Sequence, residues 1–425
     1  MERKKLVMVL LIVLMVTFMS LGVFAYHPED YVGEIDLNGE TITIIEPNPK
    51  RFNENYDLIE RVEEAEELYN CNIETMKINW PEKLEVFLSR LMSDDSKYDI
   101  WRAWDADFFK LVGRNAILPL SEIFPEYYNQ FKYPEAAYGY QGKQYALTAP
   151  GERSGKLTYI AWNIDLFEEL GLPNLYDFYD QGSDVWNWET FEEVASQATT
   201  GDYIGIESIM RDGGALFQAN GVEWFVEDEN GKYQYNVNSP EAKETVRFIR
   251  GLLEKGVANG WGQDFVNGLS AMRIANSWQL QQKFSKGDFR VGCVPLPVGP
   301  SYNKDGFCVP MSGMNSYVIP VNAEAPKGLA VVFSYIFYSD PEESLQKSKE
   351  INMQWVSDEK SFDIIMNETW TGELNLWKVL SHKGSPAFYK EGIQPVLSGN
   401  AEMSILDELE PAVQARLNEL MGYDQ

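Results

Sequence analysis

Residue types able to make or break bonds are scarce in this sequence. Two histidines occur, His27 and His382, with three cysteines, Cys71, Cys293 and Cys308, none in a Cys-x-x-Cys spacing. A histidine-based metal site or nucleophile triad therefore has almost no material. An odd cysteine count without that spacing argues for neither a zinc site nor a disulfide framework. Cys293 and Cys308 either pair or remain buried thiols. No Gly-x-Ser-x-Gly, His-Glu-x-x-His or phosphate-cradling glycine loop is present. No metal and no cofactor is expected. A carboxylate-pair hydrolase stays open, because 65 acidic residues always supply pairs. The abundant group is tryptophan, with 12 residues, all beyond the N-terminal apolar run. Trp278 has the most telling position. The small apolar run Ala271–Ala275 reads as a buried strand, and Asn276, Ser277 and Trp278 follow where it would end. Ligands of open α/β sheets sit at the carboxyl ends of strands. Trp278 is thus either a flat surface offered to a ligand or a structural cap on the next helix.

The elements that position such residues follow an α/β pattern. Thr41–Ile45 is a β-branched run, hence a central strand, and the loop Glu46 to Arg51 follows it. Tyr56–Tyr69 has apolar residues at helical spacing on an acidic background. Asn72–Ile78 reads as a strand, Lys83–Ser93 as a helix, and Tyr98–Trp104 as a third strand running into Asp105 and Asp107. This is βαβ logic with short connections. Tyr138–Tyr145 and Glu227–Tyr235 read as hairpins around Gln141-Gly142 and Asn230-Gly231. Between them the polar, Pro/Gly/Ser-containing stretch Leu147–Lys156 reads as a crossover. Leu157–Asn163 and Tyr203–Glu207 are further strands. Ser239-Pro240-Glu241 opens a helix that runs to Gly256. Arg290–Val294 is a short strand before the rigid Pro295-Leu296-Pro297. With 425 residues the chain has length for two or three domains.

The N-terminus lies outside that pattern. Arg3, Lys4 and Lys5 precede a continuous uncharged apolar run, Leu6 to Ala25, that ends in the small residue Ala25. This is an export signal, with cleavage expected before Tyr26. The run is also long enough to span a bilayer, for which ~20 apolar residues suffice, so retention as a membrane tether is the alternative. The net charge of −29 repels nucleic acid and anionic membranes and disfavours an anionic ligand.

Several segments, in order, resemble the sugar-type extracellular solute-binding proteins of ABC importers (family 1, maltose-binding-protein-like). They are Tyr98 to Leu120, with its glycine displaced to Gly113; the hairpin near Gly142; Trp162 to Pro173 (WNIDLFEELGLP), where Trp162 replaces a tyrosine; and Trp186 to Phe191. Asn220 to Trp224, with Val222 for a second glycine, the Ser239–Gly256 helix, the Ala271–Pro300 stretch and the closing helix to Leu420 complete the set. The resemblance spans residues ~34–425.

It implies an α/β fold of two lobes, of the periplasmic-binding-protein type II, joined by hinge crossovers. Residues 26–150 and 292–338 would form the N-terminal lobe, and 156–291 and 339–425 the C-terminal lobe. It also implies function: capture of a sugar, most simply an oligosaccharide, between the lobes, with hinge closure and delivery to the permease subunits of an ABC importer. Sugar rings lay apolar C–H faces on aromatic planes and offer hydroxyls to carboxylates. Carried onto this sequence, the ligand-binding residues are Glu46 and Asn48 after the first strand and Trp104, Asp105 and Asp107 after the third. From the other lobe come Trp162, Arg211, Asp212, Glu223, Trp224 and Trp278, with Trp370 and Trp377 among the late aromatics. For Asp105 and Asp107 the other reading is a helix N-cap, and for Trp162 it is the core. The protein would act as an exported monomer with no enzymatic activity. Two rivals remain, a membrane-anchored sensor subunit and a secreted glycoside hydrolase.

Overall fold

The computed structural model describes residues 27–54, 56–103, 105–125, 138–147, 155–262, 264–276, 279–280, 288–314, 316–337, 356–367 and 392–423. The Leu6–Ala25 run, Trp104, Trp278, Trp370 and Trp377 lie outside them.

Two sheets organise the chain. The smaller holds β1 (Thr41–Glu46), β2 (Asn72–Lys77), β3 (Asp99–Ala103) and the late strand β14 (Ser316–Val318), in the order β14-β3-β1-β2. β1 is parallel to both neighbours, while β14 runs antiparallel to β3 with Ser316 opposite Ala103. β1 is buried at all but its first residue, as a strand covered on both faces must be. Ile42 and Ile44 point into a cluster roofed by helix α8 (Pro326–Phe337) and helix α1 (Tyr56–Tyr69). Ile45, one pleat step away, joins Phe87 of α2 (Lys83–Met92) and Phe108 and Phe109 of α3 (Asp105–Val112) in the other. Every residue of α8 from Gly328 onward is buried, which explains why its sequence is apolar all round.

The larger sheet has the order β10-β7-β11-β6-β12, built from β6 (Gly155–Asn163), β7 (Ile204–Glu207), β10 (Ala258–Asn259), β11 (Ser270–Asn276) and β12 (Val291–Val294). β13 (Met311–Met314) pairs with the first residues of β6. β7, β10 and β11 are mutually parallel, and β6 runs against β11 and β12. Local sequence explains the flanking helices. Asn163 accepts the Leu166 amide at 3.0 Å and so starts α4 (Ile164–Leu170), which ends at Gly171 with φ +66°, a left-handed turn that suits glycine. Asn187 caps α5 (Trp188–Ala198) through the Glu189 and Thr190 amides. Ser239 and Pro240 open α7 (Pro240–Glu254). α6 (Gly214–Ala219) follows β7 by a short loop. The hairpins are β4 (Gly139–Tyr140) with β5 (Lys143–Gln144) and β8 (Phe225–Glu227) with β9 (Tyr233–Tyr235). α9 (Glu359–Asn367) and α10 (Ile405–Met421) complete the described helices named here.

The expected return to the first lobe at residue 292 is corrected by the strand pairing. β12 is buried at each position and pairs with β6 of the larger sheet. The next residues stay there too. Trp186 Nε1 donates to the Pro295 carbonyl at 2.8 Å, and Asn220 Oδ1 accepts the Ser301 amide at 3.0 Å. The chain returns only between β13, on β6, and β14, on β3. Leu147, the last described residue before the outward crossover, exchanges backbone hydrogen bonds of 2.7 and 2.8 Å with Tyr317 of β14. α10 also reaches beyond one lobe. It accepts the Tyr235 hydroxyl at the Leu406 carbonyl, and its far end lies so near α3 that a Cβ on Gly113 would stand 2.3 Å from the Leu420 carbonyl oxygen.

Cys71, Cys293 and Cys308 are all buried, with no disulfide joining them to one another. Burial pushes the Cys71 thiol up to about 12, and burial drives that of Cys293 higher than its ordinary value as well. The thiolate is the reactive form. An alkylating reagent at pH 8 should leave the folded protein unmodified and add three adducts once it is unfolded. Reductant should leave the unfolding midpoint unchanged. Adducts on the folded protein, read by mass, would contradict this packing.

Candidate functional site

The topology brings the carboxyl edges of both sheets to one place. In the smaller sheet β14 begins beside Ala103, the last residue of β3. In the larger sheet β13 lies on Leu157 of β6, next to the position where Thr158 faces Asn276, the last residue of β11. One crossover therefore joins the carboxyl edge of β1 and β3 to that of β7, β10 and β11. Loops leaving these edges start on either side of that crossover, and open α/β sheets hold ligands at such edges.

On the larger sheet the edge is polar and tightly built. Glu207 ends β7 fully buried, paired with Arg273 of β11 and accepting the Phe265 amide at 3.0 Å. Ser208 follows with φ +67°, a left-handed conformation uncommon outside glycine and found often where a backbone is held for function. Its carbonyl accepts the Arg211 and Asp212 amides at 3.1 and 2.9 Å, and its hydroxyl donates to Asp212 Oδ2 at 2.8 Å. The next strand end answers it. Asn276 and Gln279 bond each other reciprocally at 2.9 and 3.0 Å, and Gln279 Nε2 reaches Asp212 Oδ2 at 3.5 Å. Asp212, beside Arg211, is thus brought together with Gln279. Arg211 keeps its side chain 40 % exposed, with Nε 4.0 Å from Asp212 Oδ2, so its guanidinium is available at the rim.

The other expected site residues are distributed differently. Asp107 is buried in the first turn of α3, with Lys110 Nζ 3.4 Å away. Asp105 heads the same helix, and Asn48 is exposed after β1. Glu46 is 1 % exposed and is taken up beneath the crossover: it accepts the Tyr317 hydroxyl at 2.6 Å and Arg102 Nη1 at 3.2 Å. Its carboxylate anchors β14 instead of facing the crevice, because an acid at that depth must be matched by donors. Trp162 belongs to the core. It packs edge-on against Phe167 and Tyr176 at 4.9 and 5.2 Å, and Gly292 leaves room for its indole, since a Cβ there would stand 2.3 Å from Nε1. Trp224 is likewise buried, against Phe217. Glu223 is exposed and faces Lys304 Nζ at 3.9 Å, outside the Ser208–Gln279 group.

Sequence reasoning passed over Ser208, Gln279 and Trp261. A left-handed serine has no local signature. Gln279 could have been found from its adjacency to Trp278, and Trp261 from the glycines on either side of it.

Comparison with known proteins agrees with this architecture. A sequence profile described as bacterial extracellular solute-binding protein matches residues 60–348. No curated protein matches the sequence. Among solved structures, an ABC substrate-binding protein from Listeria monocytogenes in complex with cycloalternan aligns at a TM-score of 0.61 and 18 % identity, over 90 % of this chain and 99 % of that one. The cyclic alpha-maltosyl-1,6-maltose binding protein of Arthrobacter globiformis aligns at 0.66 and 16 %, over 89 % and 99 %. UgpB from Mycobacterium tuberculosis, in complex with glycerophosphocholine, aligns at 0.61 and 15 %, over 90 % and 99 %. These likenesses establish a two-lobed α/β fold, and the profile match across most of the chain makes this protein a member of the bacterial extracellular solute-binding protein family.

Proposed function

We propose that the protein captures a saccharide of more than one ring in the crevice between its lobes and delivers it to the permease subunits of an ABC importer. The observation that carries this reading is the pair of carboxyl edges joined at one crossover, one lined by Arg211, Asp212 and the Asn276–Gln279 segment, the other by the start of α3. Charged and amide groups at a rim, with aromatic residues such as Trp278 beside them in sequence, suit a ligand of hydroxyls and C–H faces. The saccharides named with the Listeria and Arthrobacter structures favour the same class. The net charge of −29 weighs against phosphate-bearing ligands. Ligand touching both edges favours the closed arrangement, and closure presents the lobes to the importer. Trp104 and Asp105, at the end of β3, complete the site from the first lobe in this reading. The protein acts outside the cytoplasm as a monomer and leaves its ligand chemically unchanged.

Thermal unfolding of the purified protein against mono- and oligosaccharides tests this. A ligand at ~100 times its dissociation constant adds about 2.7 kcal/mol of stability, a shift of a few degrees. A shift within one sugar series, with the sugar recovered intact, is the expected result. Product formation would favour a hydrolase, and no shift with any saccharide would overturn the proposal.

A further inference from the structure

Among the described residues, Trp261 is the one aromatic in the set of large hydrophobic side chains left exposed, at 52 %. Its position is not random. β10 is parallel to β7, with Asn259 opposite Glu207, so its carboxyl end lies on the edge that carries Arg211 and Asp212. The two loops run side by side: the Ile209 amide donates to the Asn259 carbonyl at 3.3 Å and the Met210 amide to the Gly260 carbonyl at 3.2 Å.

The backbone of this loop is held by Asn259. Asn259 Oδ1 accepts the Trp261 and Gly262 amides at 3.0 and 3.1 Å, and its Nδ2 donates to Asp264 at 3.0 Å. A Cβ on Gly260 would lie 2.9 Å from Met210 Sδ, and one on Gly262 would lie 2.5 Å from Asn259 Nδ2. A larger residue at either neighbour would have to displace these side chains, and the indole between them is exposed to solvent. An exposed indole contributes little to a core, whereas an accessible flat face is what ring stacking needs.

The strand order β10-β7-β11 sets three groups in a row along one edge: Trp261, then Arg211 and Asp212, then Asn276 and Gln279. Successive loops follow at the strand spacing of ~4.8 Å. We propose that Trp261 is an outer stacking platform for a sugar ring that extends past the crevice, so that the protein prefers chains long enough to reach it. This rests on the saccharide reading above. It adds a residue that sets length preference.

The test is titration calorimetry of the wild-type protein, Trp261→Ala and Trp261→Phe with maltose and maltohexaose, and with cellobiose and cellohexaose. In the series that binds, Trp261→Ala should lower the ratio of hexaose to disaccharide affinity about ten-fold. Trp261→Phe, which keeps a ring, should restore most of it, and melting of the unliganded variants should match wild type. An unchanged ratio, with wild-type binding intact, would overturn the platform and leave sugar capture standing. Equal loss for short and long ligands would also overturn it, because Trp261 would then act on the whole site. Absence of binding by the wild type to both series would overturn the saccharide reading and the platform with it.

Discussion

Arg273→Ala is expected to lose about 3–5 kcal/mol of stability, the range for removing one partner of a buried ion pair. Arg273 and Glu207 are both fully buried, face each other across parallel strands β11 and β7, and make their contact in the interior of the larger sheet. Removing the guanidinium leaves the Glu207 carboxylate without its matching charge where water cannot replace it. A native domain has only about 5–15 kcal/mol in hand, so the loss would show plainly in urea denaturation. The exposed pairing of Arg290 with Asp165 and Glu168 is geometrically as good, yet solvent screening leaves such surface pairs with little effect on stability. The charge itself is not what the fold needs. Replacing both partners together, Arg273→Met with Glu207→Leu, should recover much of the loss, since apolar substitutes for buried ion pairs are often neutral or stabilising. A single-variant midpoint equal to wild type would refute the argument.

The second large effect is expected on binding alone. Arg211→Ala should weaken the saccharide identified in the thermal panel about 10–100-fold. A hydrogen bond from a charged group is worth about 1.5–3 kcal/mol, and each 1.4 kcal/mol is a factor of ten. Its side chain is 40 % exposed and lies 4.0 Å from Asp212 at the crevice rim, so the unliganded variant should melt with the wild type. Calorimetry and thermal unfolding on the same preparation separate the two. Unchanged affinity would remove Arg211 from the site, and a lowered unliganded melting temperature would mark it as structural. The two predictions are linked in space. Glu207 is the residue immediately before Ser208, so the buried pair is the floor of the loop that holds Arg211.

Local features of the fold were legible in the sequence for local reasons. The β-branched run of β1, the asparagine and serine caps at Asn187 and Ser239, and the small apolar residues of β11 each act over a few positions. The lobe boundary was not legible, because what keeps residues 291–301 in the larger lobe is contact with Trp186 and Asn220, far away in sequence. The site was legible in part. Arg211 and Asp212 follow the β7 strand end that the sequence shows, whereas the contact of Asp212 with Gln279 is one that local sequence does not. Whether an aromatic near a strand end faces ligand or core depends on which neighbours leave space. Gly292 opens the interior to Trp162, while Trp261 stays exposed between Gly260 and Gly262. Glu46 is decided by Tyr317, 271 residues later, and no window on the sequence contains both.

That bond also sets an order of events. The smaller sheet gains its edge strand only when Ser316–Val318 has been made, and its roof only with Pro326–Phe337. At synthesis rates of ~5–20 residues per second, roughly 15–60 s separate β1 from the helix that covers it. Pairings this distant in sequence are slow to form even in a finished chain. The first lobe therefore cannot close on itself before residue 337 of the 425 has been made. For a member of an extracellular family, this order leaves the first lobe open over the synthesis of most of its chain.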